Sequence, residues 1–181
     1  MRECDVCKII ENKDSFNLIY EDSICIAIIH EIPAVKGHVI LFPKEHYPIF
    51  EEVPKKVINH IFKITNKIST VIFDSMSCQG TNIIINNGIT AGQELPHFII
   101  NIIPRFENDN INFEWTPNKK SDSELDITQT IIKQALNAKK EIEQKKEITN
   151  SEPEPIHIQN KQPNKVFNVG ALGVENIKIL K

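Results

Sequence analysis

Short apolar runs and alternations dominate the first part of the chain. FNLIYED and SICIAIIH flank an Asp-Ser turn, GHVILFP follows the connection from Pro33 to Gly37, and their Ile, Val and Phe content predicts three short strands in an antiparallel meander. The period then changes. In PIFEEVPKKVINHIFKITNKISTVIFDSM, Val57, Ile58, Ile61, Ile64, Ile68, Val71 and Ile72 fall three and four residues apart behind Pro54, which predicts an amphipathic helix of about six turns. TNIIINNG and LPHFIINIIP return to the strand pattern, joined by the loop NNGITAGQE. Strands, one long helix and two further strands make an α+β fold with a five-stranded antiparallel sheet.

After Arg105 the pattern dissolves. Residues 106–120 are polar and Asn-rich, with Phe113 and Trp115 as large anchors. SDSELDITQTIIKQALNAKKEIEQKK predicts a second helix: Ser121 and Glu124 compose a capping box, and Ile127, Ile131, Ile132, Ala135 and Leu136 form its apolar stripe. From about residue 145, EITNSEPEPIHIQNKQPNK reads as linker, and VFNVGALGVENIKIL is apolar enough to dock. The expected organisation is one domain over residues 1–138, then a linker and C-terminal docking tail over 139–181. No internal repeat is seen.

Composition adjusts this picture mainly by exclusion. Of 181 residues, 40% are apolar and 25% charged, proportions of an ordinary globular core. A net charge of −3 leaves no basic footprint for nucleic acid or an anionic membrane surface, so neither is expected as a partner. MRECDVCKIIENKD lacks a signal-peptide core and no run reaches the ~18–20 apolar residues of a membrane span, which makes the cytoplasm the expected compartment. Structural disulfides are rare there, so the close pair Cys4 and Cys7 reads as metal-binding or redox-active. Cys25, inside ICIAII, and Cys78, after the long helix, read as packing thiols. His30 and His60 have no partner motif around them and are expected to be exposed or interfacial; His157 lies in the linker.

Metal chemistry enters through four residues. Cys4 and Cys7 form a CxxC, His46 ends the PKEH segment and His97 lies on the last strand. Two thiolates and two imidazoles are a tetrahedral set that zinc accepts, with no open position for a catalytic water. Spacing alone does not pair the distant histidines with the CxxC.

IPAVKGHVILFPKEHY and NNGITAGQELPHFIINIIPR carry a wider pattern: a CxxC start, PAVKGHVILFPKEH, the loop GITAGQ and a closing PR. In these features the chain resembles the histidine triad superfamily from about Cys4 to Leu136. The resemblance implies a helix on an antiparallel sheet and a two-fold homodimer that joins two sheets. It also implies a structural zinc held by Cys4, Cys7, His46 and His97, as in zinc-bearing archaeal and bacterial members.

The chain departs from the family at three places. The family strand reads HxHxHxx and its middle histidine attacks the α-phosphorus of a nucleotide; here HFIINII puts His97, Ile99 and Asn101 at those positions. Isoleucine has no lone pair, so that covalent step is impossible at this position. Glu94 stands where a small hydroxyl residue contacts phosphate, and a carboxylate there repels an anion. Glu31 replaces the family's aspartate at the ribose, while His38, Asn86 and Gln93 match family positions. The implied pocket contains Glu31, His38, Asn86, Gln93, Glu94, Ile99 and Asn101, with Trp115 lining or closing it. Such a pocket points to an enzyme turned from nucleotidyl transfer to acid–base chemistry on a small heterocyclic ligand, nucleoside-like or pterin- and folate-like, with His38 and Glu94 as catalytic candidates. A non-catalytic ligand-binding or protein-interaction scaffold is the alternative, and a residual nucleotide phosphohydrolase the third reading.

Overall fold

Strands form where β-branched residues cluster, and they assemble into one antiparallel sheet. In the computed structural model, which describes residues 4–150, β1 (Leu18–Glu21), β2 (Cys25–Ile29), β3 (Val39–Pro43), β4 (Gly80–Ile84) and β5 (Ile100–Arg105) lie in the order β1-β2-β3-β5-β4. The register pairs Ile26 with Phe42, Ile40 with Asn101, and Ile84 with Asn101 on the far side. All five strands and the α+β class agree with the sequence pattern.

The pleat sends alternate side chains to opposite faces. Helix α2 (Lys55–Met76) covers one face, packing Ile61, Ile64, Ile68 and Ile72 against Ala27, Val39, Leu41, Phe98, Ile100 and Ile102. Val71, counted on the apolar stripe, is exposed instead: the buried stripe is narrower than the sequence pattern. The other face carries Ile26, Ile28, Ile40 and Phe42, which pack with Cys4 and Val6 of the N-terminal segment. That segment forms α1 (Asp5–Glu11), a helix that periodicity did not predict. Seven residues are too few to be helical alone; Val6, fully buried, ties this one to the sheet.

Between β2 and β3 the chain turns through Gly37 at φ +88°, a conformation that disfavours a side chain. A Cβ there would lie 3.0 Å from the Met76 methyl and 3.3 Å from Pro104. Glycine thus lets the chain pass close to α2 and deliver His38 to the start of β3.

Helix α3 runs over Asp122–Asn150. Its start has the expected capping box: the Ser121 N–H donates to Glu124 Oε2 at 3.0 Å, and the Glu124 N–H to Ser121 Oγ at 3.3 Å. The helix continues past residues 138 and 145, where the sequence pattern placed a linker. Chain contacts divide into one unit ending at Trp115 and a second beginning at Thr116. Leu125, Ile127, Ile131, Ile132 and Leu136 are exposed, so the stripe has no partner among the described residues. The docking tail expected beyond residue 150 lies outside the described residues. No helix among them is long and apolar enough to cross a membrane.

His60 is half-buried and hydrogen-bonded. Its Nε2 lies 2.6 Å from Asp22 Oδ2, tying α2 to the β1–β2 turn, while Asp22 Oδ1 accepts the N–H groups of Ile24 and Cys25 at 2.7 and 2.9 Å. Burial alone would raise the Asp22 carboxyl, yet these N–H groups, the Tyr20 hydroxyl and His60 hold it well below the usual carboxylate range. A carboxyl depressed in the folded state stabilises the fold above its unfolded value near ~4, and that contribution is lost as pH falls below it. Urea titrations should therefore show stability declining as the solution is acidified below about pH 4, with a shallower decline in Asp22→Asn. An unchanged decline in the variant would refute Asp22 as a source.

Candidate functional site

Four side chains that are distant in sequence meet where α1 crosses the end of the sheet. Cys4 caps α1, Cys7 lies in its first turn, His46 follows β3 and His97 precedes β5. Their ligand atoms all lie within 4.8 Å of one another. The Cys4 Sγ to His97 Nδ1, Cys7 Sγ to His46 Nδ1 and Cys7 Sγ to His97 Nδ1 separations are 3.6, 3.4 and 3.9 Å. Tetrahedral zinc with ordinary Zn–S and Zn–N bonds sets sulfur and nitrogen about 3.6 Å apart, so the donors fit the ion in kind and in spacing.

The surroundings prepare His97 for that role. Its Nε2–H donates to the Pro43 carbonyl at 3.0 Å, which leaves the Nδ1 lone pair toward the sulfurs. Burial, with His46 adding to it and the Pro43 carbonyl opposing, lowers its pKa to about 4, so the ring is neutral at pH 7 as a ligand must be. Cys4 and His97 are buried, whereas Cys7 and His46 face a groove of about 1000 Å³. Glu94 is exposed on this groove's wall with Ile49, Ile89 and Leu95; His38, Ile99 and Asn101 do not line it.

Four residues after His97, on β5, Asn101 belongs to a second cluster. His97, Ile99 and Asn101 alternate with Phe98, Ile100 and Ile102, and the latter three pack under α2. Ile99 packs instead into the cluster with Ile40 and Phe42 beneath α1. Asn101 Oδ1 accepts the Nε2–H of His38 at 3.0 Å, and its amide donates to the Ile84 carbonyl at 3.5 Å. The Ala34 N–H donates to His38 Nδ1 at 3.2 Å. Both nitrogens of this buried ring are therefore engaged, with the proton on Nε2. Burial lowers the His38 pKa, His30 adds to the effect, and the Asn101 hydrogen bond works against it.

His30, expected from sequence to be exposed or interfacial with no partner motif, is half-exposed and has a partner. Its ring stacks on His38 with centroids 4.7 Å apart and planes 14° from parallel. The cause is register: Ile29 pairs with Val39, so the residue after β2 meets the residue before β3. Eight positions separate the two histidines, and only the antiparallel return joins them.

The β4–β5 loop is fastened by Gln93. Its Oε1 accepts the Gly88 N–H at 2.8 Å, and its Nε2 donates to the carbonyls of Pro48 and Leu95 at 2.7 and 2.9 Å. Asn86 donates to the Gly92 carbonyl at 3.1 Å. In this structure both amides hold the loop's shape. Glu31 is exposed, and Trp115 is 82% exposed. Arg105, which closes β5, binds Asp109 and Asn82 and lies over the Phe113 ring at 5.4 Å.

Comparison with known proteins agrees with this architecture. A model of the HIT domain matches residues 11–108. Over 107 residues the chain is 37% identical to the adenylylsulfatase HINT3 of Arabidopsis thaliana, covering 59% of this chain and 54% of that one. It thus spans about half the length of that relative. The solved structure of SMU.412c from Streptococcus mutans superposes with a TM-score of 0.71 at 28% identity, covering 75% of this chain and 87% of that one. A zinc-bound histidine triad family protein from Mycobacterium smegmatis gives a TM-score of 0.57 at 26% identity, over 64% of this chain and 84% of that one.

Proposed function

Because the chain belongs to the HIT family, we propose that it binds a nucleoside-like ligand beside His38 and Asn101 and performs no nucleotidyl transfer through a histidine. The observation that carries this reading is Ile99. It occupies the middle of the three alternate positions leading into β5 and is packed with Ile40 and Phe42, so no nucleophile is available there. The nucleoside class is supported by the family and by the nucleotide-cleaving relative, the plant adenylylsulfatase.

Around that site, Cys4, Cys7, His46 and His97 would hold a structural zinc, which when bound supplies a rigid cross-link between α1, β3 and β5. The donor spacing and the zinc-bound relative support it. Thiolates kept reduced for a metal suit a cytoplasmic protein. A homodimer is supported by the edge of β4, which pairs with no further strand among the described residues and exposes Ile83, and by exposed Phe62 and Phe73 on α2. Exposed Trp115 would then meet the ligand site of the second copy.

Acid–base chemistry by His38 requires the ligand to displace Ala34 or Asn101 from its ring, and Glu94 is a separate candidate on the neighbouring groove. That engagement of His38 favours a second reading, ligand binding without turnover. Calorimetry with adenosine, together with chromatography of adenosine and adenylyl sulfate after incubation, tests both. Adenosine should bind, and adenylyl sulfate should yield neither AMP nor an adenylylated protein by intact mass. Consumption of adenosine separates the acid–base reading from plain binding; AMP release through an adenylylated chain would overturn the proposal.

A further inference from the structure

Five histidines lie among the described residues, and four have their roles fixed by geometry. His46 and His97 place Nδ1 in the cysteine cluster. His60 is paired with Asp22, and both nitrogens of His38 are engaged. His30 differs. Its Nδ1 accepts the Ile32 N–H at 3.0 Å, which puts the proton of the neutral ring on Nε2. No described residue takes up that Nε2, and the ring is half-exposed.

We propose that His30, through Nε2, is the imidazole that contacts the ligand of this site, with His38 serving to hold its ring and Asn101 in place. The inference rests on the nucleoside-binding reading given above. Two contacts fix the His30 ring, the hydrogen bond at Nδ1 and the parallel stack on His38. A side chain immobilised before binding forfeits little entropy when its remaining polar atom engages a ligand. The adjacent Ile32 is 85% exposed, so apolar surface suited to a heterocycle lies next to this donor. The ligand group it serves is a hydrogen-bond acceptor, such as a ring nitrogen, a hydroxyl or a carbonyl oxygen.

Two substitutions separate this role from that of a turn residue. Asparagine at position 30 can accept the Ile32 N–H as a local two-residue turn, but leaves nothing at the place of Nε2. Glutamine reaches the place of Nε2 with an amide donor and gives up the turn acceptor. Adenosine binding should therefore weaken about tenfold in His30→Asn and stay within about threefold of wild type in His30→Gln. The reverse order, with thermal stability following it, would assign His30 to the turn alone and overturn the proposal. Nitrogen-15 spectra of the imidazoles give an independent arm. The His30 Nε2–H should exchange rapidly with solvent in the free protein, in contrast to that of His38, and should shift when adenosine is added. Amide shifts at Ile32 and Asn101 without any change at His30 would refute the contact while leaving nucleoside binding intact. No shift anywhere, with adenosine or AMP, would remove the binding reading itself and this inference with it.

Discussion

Stripping the metal with a chelator should lower the melting temperature by on the order of 10 °C and unfold α1 before the sheet. The N-terminal helix has seven residues, below the length at which a helix is stable in water, and its start is held by two of the four metal-type ligands. Without a cation, burial and the neighbouring Cys4 raise the Cys7 pKa while burial lowers that of His97, so a protonated Cys7 thiol would face a neutral His97 ring there. Such a pair contributes little attraction, whereas a zinc held by these residues would tie α1 to the segments after β3 and before β5. The protein as purified should carry one zinc per chain by elemental mass spectrometry. Hydrogen exchange should then show protection at residues 5–11 collapsing on chelation, while β2 and β3 retain theirs. Cys7→Ser should reproduce most of the loss. A metal-free preparation with the same melting temperature and the same protection would eliminate zinc as a structural element.

This N-terminal region also shows where the sequence was readable and where it was not. The strands and α2 announce themselves because runs such as ICIAII and the three-and-four spacing of Ile61, Ile64, Ile68 and Ile72 report the burial of a face directly. Helix α1 has no such signal: what joins it to the sheet is buried Val6 and the approach of Cys4 and Cys7 to His46 and His97, 39 or more positions away. Val71 satisfied the helical spacing and is nonetheless exposed, because periodicity gives the centre of a stripe more reliably than its edge. Helix α3 shows the limit in the other direction. Its capping box and spacing were read from sequence, but nothing in them gives a partner for its apolar face.

The candidate ligand site divides in the same way. Family motifs pointed to His38, Asn101 and Gln93, and the structure shows what their polar atoms do: His38 holds Asn101, and Gln93 holds the loop. Glu94 could be named from sequence, but its position on the groove beside Cys7 and His46 required the fold. His30 could not be singled out, since its stack on His38 depends on the pairing of β2 with β3. Local chemistry is thus legible where one segment supplies it, and hidden where two strands must first find their register.

Phe42→Ala should cost about 3–5 kcal/mol in the metal-loaded protein, the usual range for deleting a buried phenylalanine ring. Phe42 is fully buried and belongs to the same cluster as Cys4, Val6 and Ile40, with Ile99 packed against it. Its ring also meets the His97 imidazole edge-on, with centroids 6.1 Å apart. One side chain therefore supports both the metal-type ligands and the strand that carries Ile99 and Asn101. If α1 detaches when the metal is removed, part of the Phe42 packing is already lost in the stripped protein, and the same substitution should cost less there. The difference between the two costs measures the coupling of metal to core, and contacts this close typically couple by about 0.5–3 kcal/mol. Urea unfolding of wild type and variant, each with and without zinc, completes the cycle. Equal costs in both forms would show that the cluster and the metal ligands are energetically separate. A smaller cost without zinc means that the metal helps to set the packing under Ile99, where this chain carries a hydrocarbon in place of a nucleophile.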